Sequence, residues 1–219
     1  MDKLRLRFAK KGRAVYISHL DLMRTLQRVF LRAGLPLKYS EGFNPHPVVS
    51  IVLPLSVGMQ SECELMDFQL LEDFDLSTLP ARLTAAMPEG IEALEVYPLE
   101  RKGKELKWLR IAGKLSYDAR DAAAMRDGLQ AFFAQEQIVV LKKTKRGEGE
   151  SDIAPAIRSI GFTAGEGCVE LTAVISAQDP TLNPELLVSA LRQRAPELAP
   201  DFAEFTRLEV YDESMQVFR

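Results

Sequence analysis

The spacing of apolar residues along this chain switches between a period of two and a period of 3.6, and it does so in the same order twice. Leu4, Leu6 and Phe8 alternate with Arg5, Arg7 and Lys10, which predicts a strand over 3–9 with one basic face. Leu22, Leu26, Val29, Phe30 and Ala33 then recur at helical spacing. Ser18 stands as the N-cap with Asp21 three residues on, a capping box in which Asp replaces Glu, while Gly34 and Pro36 supply the stop. Strands follow at 48–55 and 61–71, a helix at 76–87 capped by Ser77, and a strand at 91–97.

After the polar joint Arg101-Lys102-Gly103-Lys104 the order begins again. Strands are expected at 108–117, 138–143, 168–176 and 205–211, with helices at 120–134 and from Pro184 to about Ala195, where Asn183 is the cap. The run 145–151 (KRGEGES) reads as a flexible tip and 153–160 as a short helix. Each half is a β-α-β-β-α-β series, so the expected architecture is α+β: two tandem ferredoxin-like (βαββαβ) domains over 1–100 and 101–219.

The apolar runs are short and interrupted, which argues against a bilayer span, and the charged start lacks an apolar segment behind it, so no secretory signal is expected. Cys63 and Cys168 are isolated, with no Cys-x-x-Cys spacing, so neither a metal centre nor a disulfide framework is expected, and the cytoplasm is the expected location. Residues 1–50 hold ten Lys/Arg against three Asp/Glu, a balance of +7 in a chain of net −3 that leaves −10 for the remainder. A basic segment on an acidic protein points to a polyanionic partner, against the plainer reading of an unevenly charged surface.

Arg24, Arg28 and Arg32 lie four apart on one helix face, and Arg5 and Arg7 share a strand, so these five are the candidate phosphate contacts. Tyr16, Tyr39 and Phe43 are candidates for stacking on bases, although two of the three could equally belong to a core. The two histidines, His19 and His46, fall at the helix start and within the proline-stiffened run Asn44-Pro45-His46-Pro47. Asn44 and His46 are candidate contacts to a base or ribose. His19 and His46 are also the candidate acid and base of a metal-independent RNA cleavage, if the two meet; the alternative is a local capping or turn role for each. No phosphate-loop order and no serine or cysteine nucleophile elbow is present.

The run Ser18-His19-Leu20-Asp21-Leu22-Met23-Arg24, with Arg32-Ala33-Gly34-Leu35-Pro36, Tyr39-Ser40-Glu41-Gly42-Phe43-Asn44-Pro45-His46-Pro47 and Leu53-Pro54-Leu55, resembles the bacterial radical-SAM-linked protein family. The resemblance implies a radical SAM protein as partner and a setting in RNA metabolism, and carries over no catalytic residues and no cofactor. The chain lacks the Cys-x-x-x-Cys-x-x-Cys run that would hold the radical SAM cluster itself. The expected function is therefore an RNA-binding, substrate-presenting module for tRNA or rRNA modification or maturation. The competing expectations are an endoribonuclease built on His19 and His46, and a scaffold that docks the radical SAM enzyme.

Overall fold

The computed structural model describes residues 3–144 and 147–219, so Lys145 and Arg146 of the expected loop tip lie outside the described residues. The protein is α+β and divides into two compact units, Met1–Glu105 with Arg219, and Leu106–Phe218. Among the described residues no helix is long and apolar enough to cross a membrane.

In the first unit the elements run β1 (Leu4–Lys10), a 3-10 turn (Gly12–Tyr16), α1 (His19–Arg32), β2 (Val49–Ile51), β3 (Gln60–Phe68), α2 (Leu79–Thr84) and β4 (Ile91–Pro98). The strands lie in the order β4-β1-β3-β2 with every neighbour antiparallel. Alternation decides the two faces. Leu6 and Phe8 of β1 and Met66 and Phe68 of β3 enter one core with Leu22, Leu26, Val29 and Phe30 of α1 and Leu79 and Leu83 of α2. The rings of Phe30 and Phe68 meet at 4.8 Å. Both helices therefore cover one face of the sheet, and Arg5 and Arg7 belong to the other.

Helix α1 forms as its sequence directs. The Ser18 hydroxyl accepts the Asp21 amide at 3.2 Å and donates to the Asp21 carboxylate at 2.8 Å, an arrangement worth about 1 kcal/mol. At the other end Gly34 adopts φ +65°, and the Leu35 amide donates to the Phe30 carbonyl at 2.9 Å while that of Gly34 donates to Leu31 at 3.1 Å. This is a Schellman stop. Arg82 of α2 donates to the carbonyls of Ala33 and Gly34, and Arg32 of α1 donates to that of Ala86, so each helix satisfies the other's C-terminal end.

Three expectations change. β2 is three residues long rather than eight, since Pro54 removes a ladder donor and biases Leu53 as well. The helix expected over 76–87 keeps only Leu79–Thr84, behind a 3-10 turn over Leu76–Thr78. Asp75, not Ser77, is the capping side chain, and it caps that turn: the Asp75 carboxylate accepts the hydroxyl and the amide of Ser77, and these bonds hold its pKa below the usual range.

The second unit runs β5 (Trp108–Ser116), α3 (Ala122–Phe133), β6 (Val139–Thr144), β7 (Gly147–Asp152), β8 (Ile157–Ala164), β9 (Cys168–Ser176), α4 (Glu185–Arg194) and β10 (Phe202–Tyr211). Its sheet order is β10-β5-β9-β8, again antiparallel throughout, with β6 and β7 paired as a separate hairpin. Here the sequence misleads. The described part of the expected flexible tip is strand β7, and the expected helix over 153–160 is a single 3-10 turn at Ala154–Ala156 followed by β8. The β-branched Ile157, Ile160 and Thr163 favour the strand, and Phe162 stacks on Phe133 of α3 at 5.7 Å. The outer edge of β6 is closed by a side chain: the Gln193 carboxamide accepts the Leu141 amide at 2.8 Å and donates to the Leu141 carbonyl at 3.2 Å. It acts as a substitute strand.

Two outcomes are expected. Gly90 stands at φ +86°, where an added Cβ would come within 2.4 Å of the Lys11 carbonyl. Gly90→Ala should therefore destabilise the first unit by roughly 1–3 kcal/mol, read as an earlier circular-dichroism transition with Trp108 fluorescence of the second unit unchanged. Tyr117 is buried and donates to the Leu198 carbonyl at 2.9 Å; burial pushes its phenol up to about 12, against a smaller downward pull from Arg120. The unfolded phenol loses its proton near 10 and the folded one near 12. The second unit should thus lose stability as pH rises across that window, and Tyr117→Phe should flatten the decline seen in urea unfolding.

Candidate functional site

The candidate residues of the first unit separate into a helix surface, a loop and a buried strand. Arg24, Arg28 and Arg32 lie on the solvent face of α1. Arg24 pairs with Asp21 at 3.2 Å and Arg32 donates to the Ala86 carbonyl at 2.6 Å, whereas the side chain of Arg28 has no partner among the described residues. Two leucines share this face: Leu20, Arg24, Arg28 and Leu31 follow one another at i, i+4, i+8 and i+11, with Leu20 66% and Leu31 79% exposed. Sequence periodicity placed the arginines but not these leucines, because a leucine at the edge of an apolar stripe carries no mark of its exposure.

Arg5 requires a correction. It is fully buried, and its guanidinium donates to both oxygens of Asp67, at 2.6 and 3.0 Å, and to the Arg101 carbonyl at 3.0 Å. Asp67 is its direct cross-strand neighbour on β3. The guanidinium is held inside the sheet and is not offered to a phosphate. Arg7, half-buried on the same strand face, is likewise not part of a free basic surface. Lys10 is enclosed too: its ammonium donates to the carbonyls of Val15 and Ile17, and burial lowers its pKa, partly offset by Glu64. The basic face read from the β1 alternation is therefore internal. Exposed cations of the segment include Lys3, Arg13, Arg24, Arg28 and Arg32.

The aromatic candidates are all on the outside. Tyr16 is 75%, Tyr39 54% and Phe43 108% exposed, so none of the three is core. Phe43 and Asn44 occupy the tip of a loop closed at its base by the Tyr39–Pro47 bridge and by the Ser40 amide donating to the His46 carbonyl at 2.8 Å. The Ser40 hydroxyl accepts the His46 amide at 3.1 Å and meets its ring Nδ1 at 2.9 Å. The loop is pinned across its neck by one serine and one histidine.

The two histidines are not brought together. His19 is the first residue of α1, just past the end of β1 where Lys10 ties down Val15 and Ile17. His46 lines a groove with Lys3, where β1 begins. The seven residues of β1 separate these two ends, about 20 Å at the rise of a strand. No hydrogen bond joins the two rings, and a shared acid–base site built from them is not present.

That groove is the feature the sequence reading missed. It encloses about 510 Å³, with Lys3, Ser40, His46, Ser50 and Asp67 as its polar lining and Val49 and Leu99 among its apolar walls. Arg5, Asp67 and Ser50 stand in one cross-strand row on the face away from the helices. The signal available in advance was parity: Asp67 interrupts an otherwise apolar alternation on β3 opposite the Arg5 position.

A family described as an uncharacterized protein conserved in bacteria (DUF2344) matches residues 3–184. The chain belongs to this family. No curated protein matches it. Among solved structures, a chain of the crystal structure of a Cbf5-Nop10-Gar1 complex is similar at 9% identity and a TM-score of 0.51, over 96% of this chain and 50% of that one. An unknown protein from Galdieria sulphuraria overlays at 9% identity and a TM-score of 0.27, over 96% and 98%. The first likeness is one of α+β fold, to a chain of which this one spans half.

The Arg5–Asp67 pair generates an asymmetric expectation. Asp67→Ala leaves a buried guanidinium without its anion and should cost about 3–5 kcal/mol. Arg5→Met leaves a carboxylate that water can reach and should cost clearly less. Urea midpoints of the two variants decide it, and equal losses would show that the pair is not the reason for the burial.

Proposed function

We propose that the chain is an RNA-binding module that presents an RNA, tRNA or rRNA, to a radical SAM enzyme for modification or maturation. The observation that carries this reading is the solvent face of α1. The helix seats its apolar face in the core and keeps Arg24, Arg28 and Arg32 outside, with Arg13 and the exposed Tyr16 on the turn that leads into it. Guanidinium groups spaced one turn apart match phosphate oxygens, and an exposed aromatic ring at the end of such a row can stack on an unpaired base. The exposed Tyr39 and Phe43 add stacking surfaces on a loop already ordered. The radical SAM partner rests on the resemblance carried by residues 18–24 and 39–47.

The ferredoxin-like reading of both units belongs to this proposal. The orders β4-β1-β3-β2 and β10-β5-β9-β8 support it, with the β6–β7 hairpin as an insertion in the second. So does a cytoplasmic location, supported by two buried cysteines that are both free. Leu20 and Leu31 favour a second reading, a scaffold whose α1 face docks the enzyme itself, since exposed leucines contribute little to phosphate binding.

One pair of variants separates the two. Arg24→Glu/Arg28→Glu should weaken binding of small RNA at least roughly tenfold at low salt and reduce the slope of log affinity against log salt by about 1–2. Leu20→Ser/Leu31→Ser should leave RNA binding intact. Filter binding at two salt concentrations gives the answer. Unchanged RNA affinity in the arginine variant sinks the RNA module, and loss of radical SAM enzyme binding in the leucine variant alone establishes the scaffold.

A further inference from the structure

We infer that the groove at the beginning of β1 is a binding site for a single ribonucleotide. The inference rests on the RNA reading for the source of that nucleotide when it belongs to a chain, and the same chemistry would hold a free one. Its volume, about 510 Å³, is in the range of small-ligand sites. Two of its polar groups, Asp67 and His46, are held in place before any ligand arrives. The Asp67 carboxylate is fixed by two bonds from Arg5, which is itself buried and tied to the Arg101 carbonyl. The His46 ring is fixed through Nδ1, which meets the Ser40 hydroxyl at 2.9 Å and the Asn44 carbonyl at 3.4 Å. These contacts leave Nε2 as the free edge of the imidazole.

The type of ligand follows from what these groups still offer. Arg5 occupies one lone pair on each Asp67 oxygen, which leaves each oxygen able to accept one further proton. Such a carboxylate suits separate hydroxyl donors, as on a ribose, better than the planar two-donor edge of a base. Arg5 also offsets the carboxylate's charge, so the neighbouring Lys3 ammonium remains free to attract an anion, with the Nε2 edge of His46 beside the same groove. Val49 and Leu99 give an apolar wall against which a ring can lie. A ligand with a phosphate, vicinal hydroxyls and a flat ring satisfies all three. The 2′-hydroxyl is the group that a carboxylate in this position would read.

Ligand-observed NMR of the full chain with adenosine and uridine 5′-monophosphates, and with their 2′-deoxy counterparts, tests this. Asp67→Asn strips Arg5 of its charge partner and can unfold the unit, so the deciding variants are His46→Ala and Ser50→Phe, the latter filling the groove from β2 beside Asp67 while keeping both partners of the ion pair. Saturation transfer to the ribonucleotides is expected with the unaltered protein and with Arg24→Glu/Arg28→Glu. It should fall on the order of tenfold in both groove variants and for the deoxy ligands. Equal transfer in Ser50→Phe, or equal transfer for ribo and deoxy ligands, overturns the site. Anisotropy with a single-stranded oligoribonucleotide then separates the sources. Weakening by the groove variants assigns the nucleotide to an RNA chain, whereas an unaffected oligonucleotide beside lost mononucleotide binding assigns it to the free pool. Oligonucleotide binding that depends on Arg24 and Arg28, with no mononucleotide signal and inert groove variants, overturns the groove and leaves the RNA module standing.

Discussion

An arginine sealed inside a sheet costs several kcal/mol unless a carboxylate meets it with good geometry. Arg5 meets that condition with Asp67, and much of the first unit's helix-free face is arranged around the fact. The pair crosses from β1 to β3 at directly opposed positions, so a one-residue slip between those strands would turn one of the two partners onto the helix side. The apolar alternation of Leu6 and Phe8 opposes the same slip from the other face. Packing and charge therefore agree on one register. The third bond, to the Arg101 carbonyl, draws the segment after β4 back across that face.

The two ends of β1 are chemically different as a consequence. At its finish, Lys10 reaches over the 3-10 turn and holds the carbonyls of Val15 and Ile17, which sets the point where α1 starts. At its beginning, Asp67 emerges from the ion pair into a groove beside a loop braced by Ser40 and His46. The arginines of the proposed helix surface stand on the helix-covered side of the sheet, whereas Asp67 of the proposed groove belongs to the other side. A chain held by arginines on α1 would have to pass from one side of the sheet to the other to deliver a nucleotide to the groove.

What could be read in the sequence tracks what is local. The α1 boundaries were legible because Ser18, Asp21, Gly34 and Pro36 act within a turn of where they stand. The direction of β1's alternation was legible as well, but not which of its faces water would reach. A period of two distinguishes sides without saying what covers each, so Arg5 and Lys10 read as surface when they are buried and Arg7 when it is half-buried. The same limit explains β8: Ile153 to Ile160 is short enough to fit either period, and the choice is made by Phe133 of α3, distant in sequence. The groove was invisible for the same reason, since Lys3, the His46–Ser50 run and Asp67 come from three separate stretches.

The Ser40–His46 brace bears on why a phenylalanine can stand fully exposed. An unsupported loop with Phe43 at its tip would fold the ring onto the nearest apolar surface, since burying it would gain about 2–3 kcal/mol. Here the Tyr39–Pro47 bridge, the Ser40–His46 backbone bond and the hydroxyl between them close the neck, and Pro45 and Pro47 narrow what remains. The ring is kept out by the loop's own geometry. Because the loop is already ordered, a partner that covers Phe43 would gain the burial without first losing entropy to order the backbone. An aromatic group held in that state, next to a groove in which Asp67 and the His46 ring are already fixed, is arranged for contact with something outside the unit.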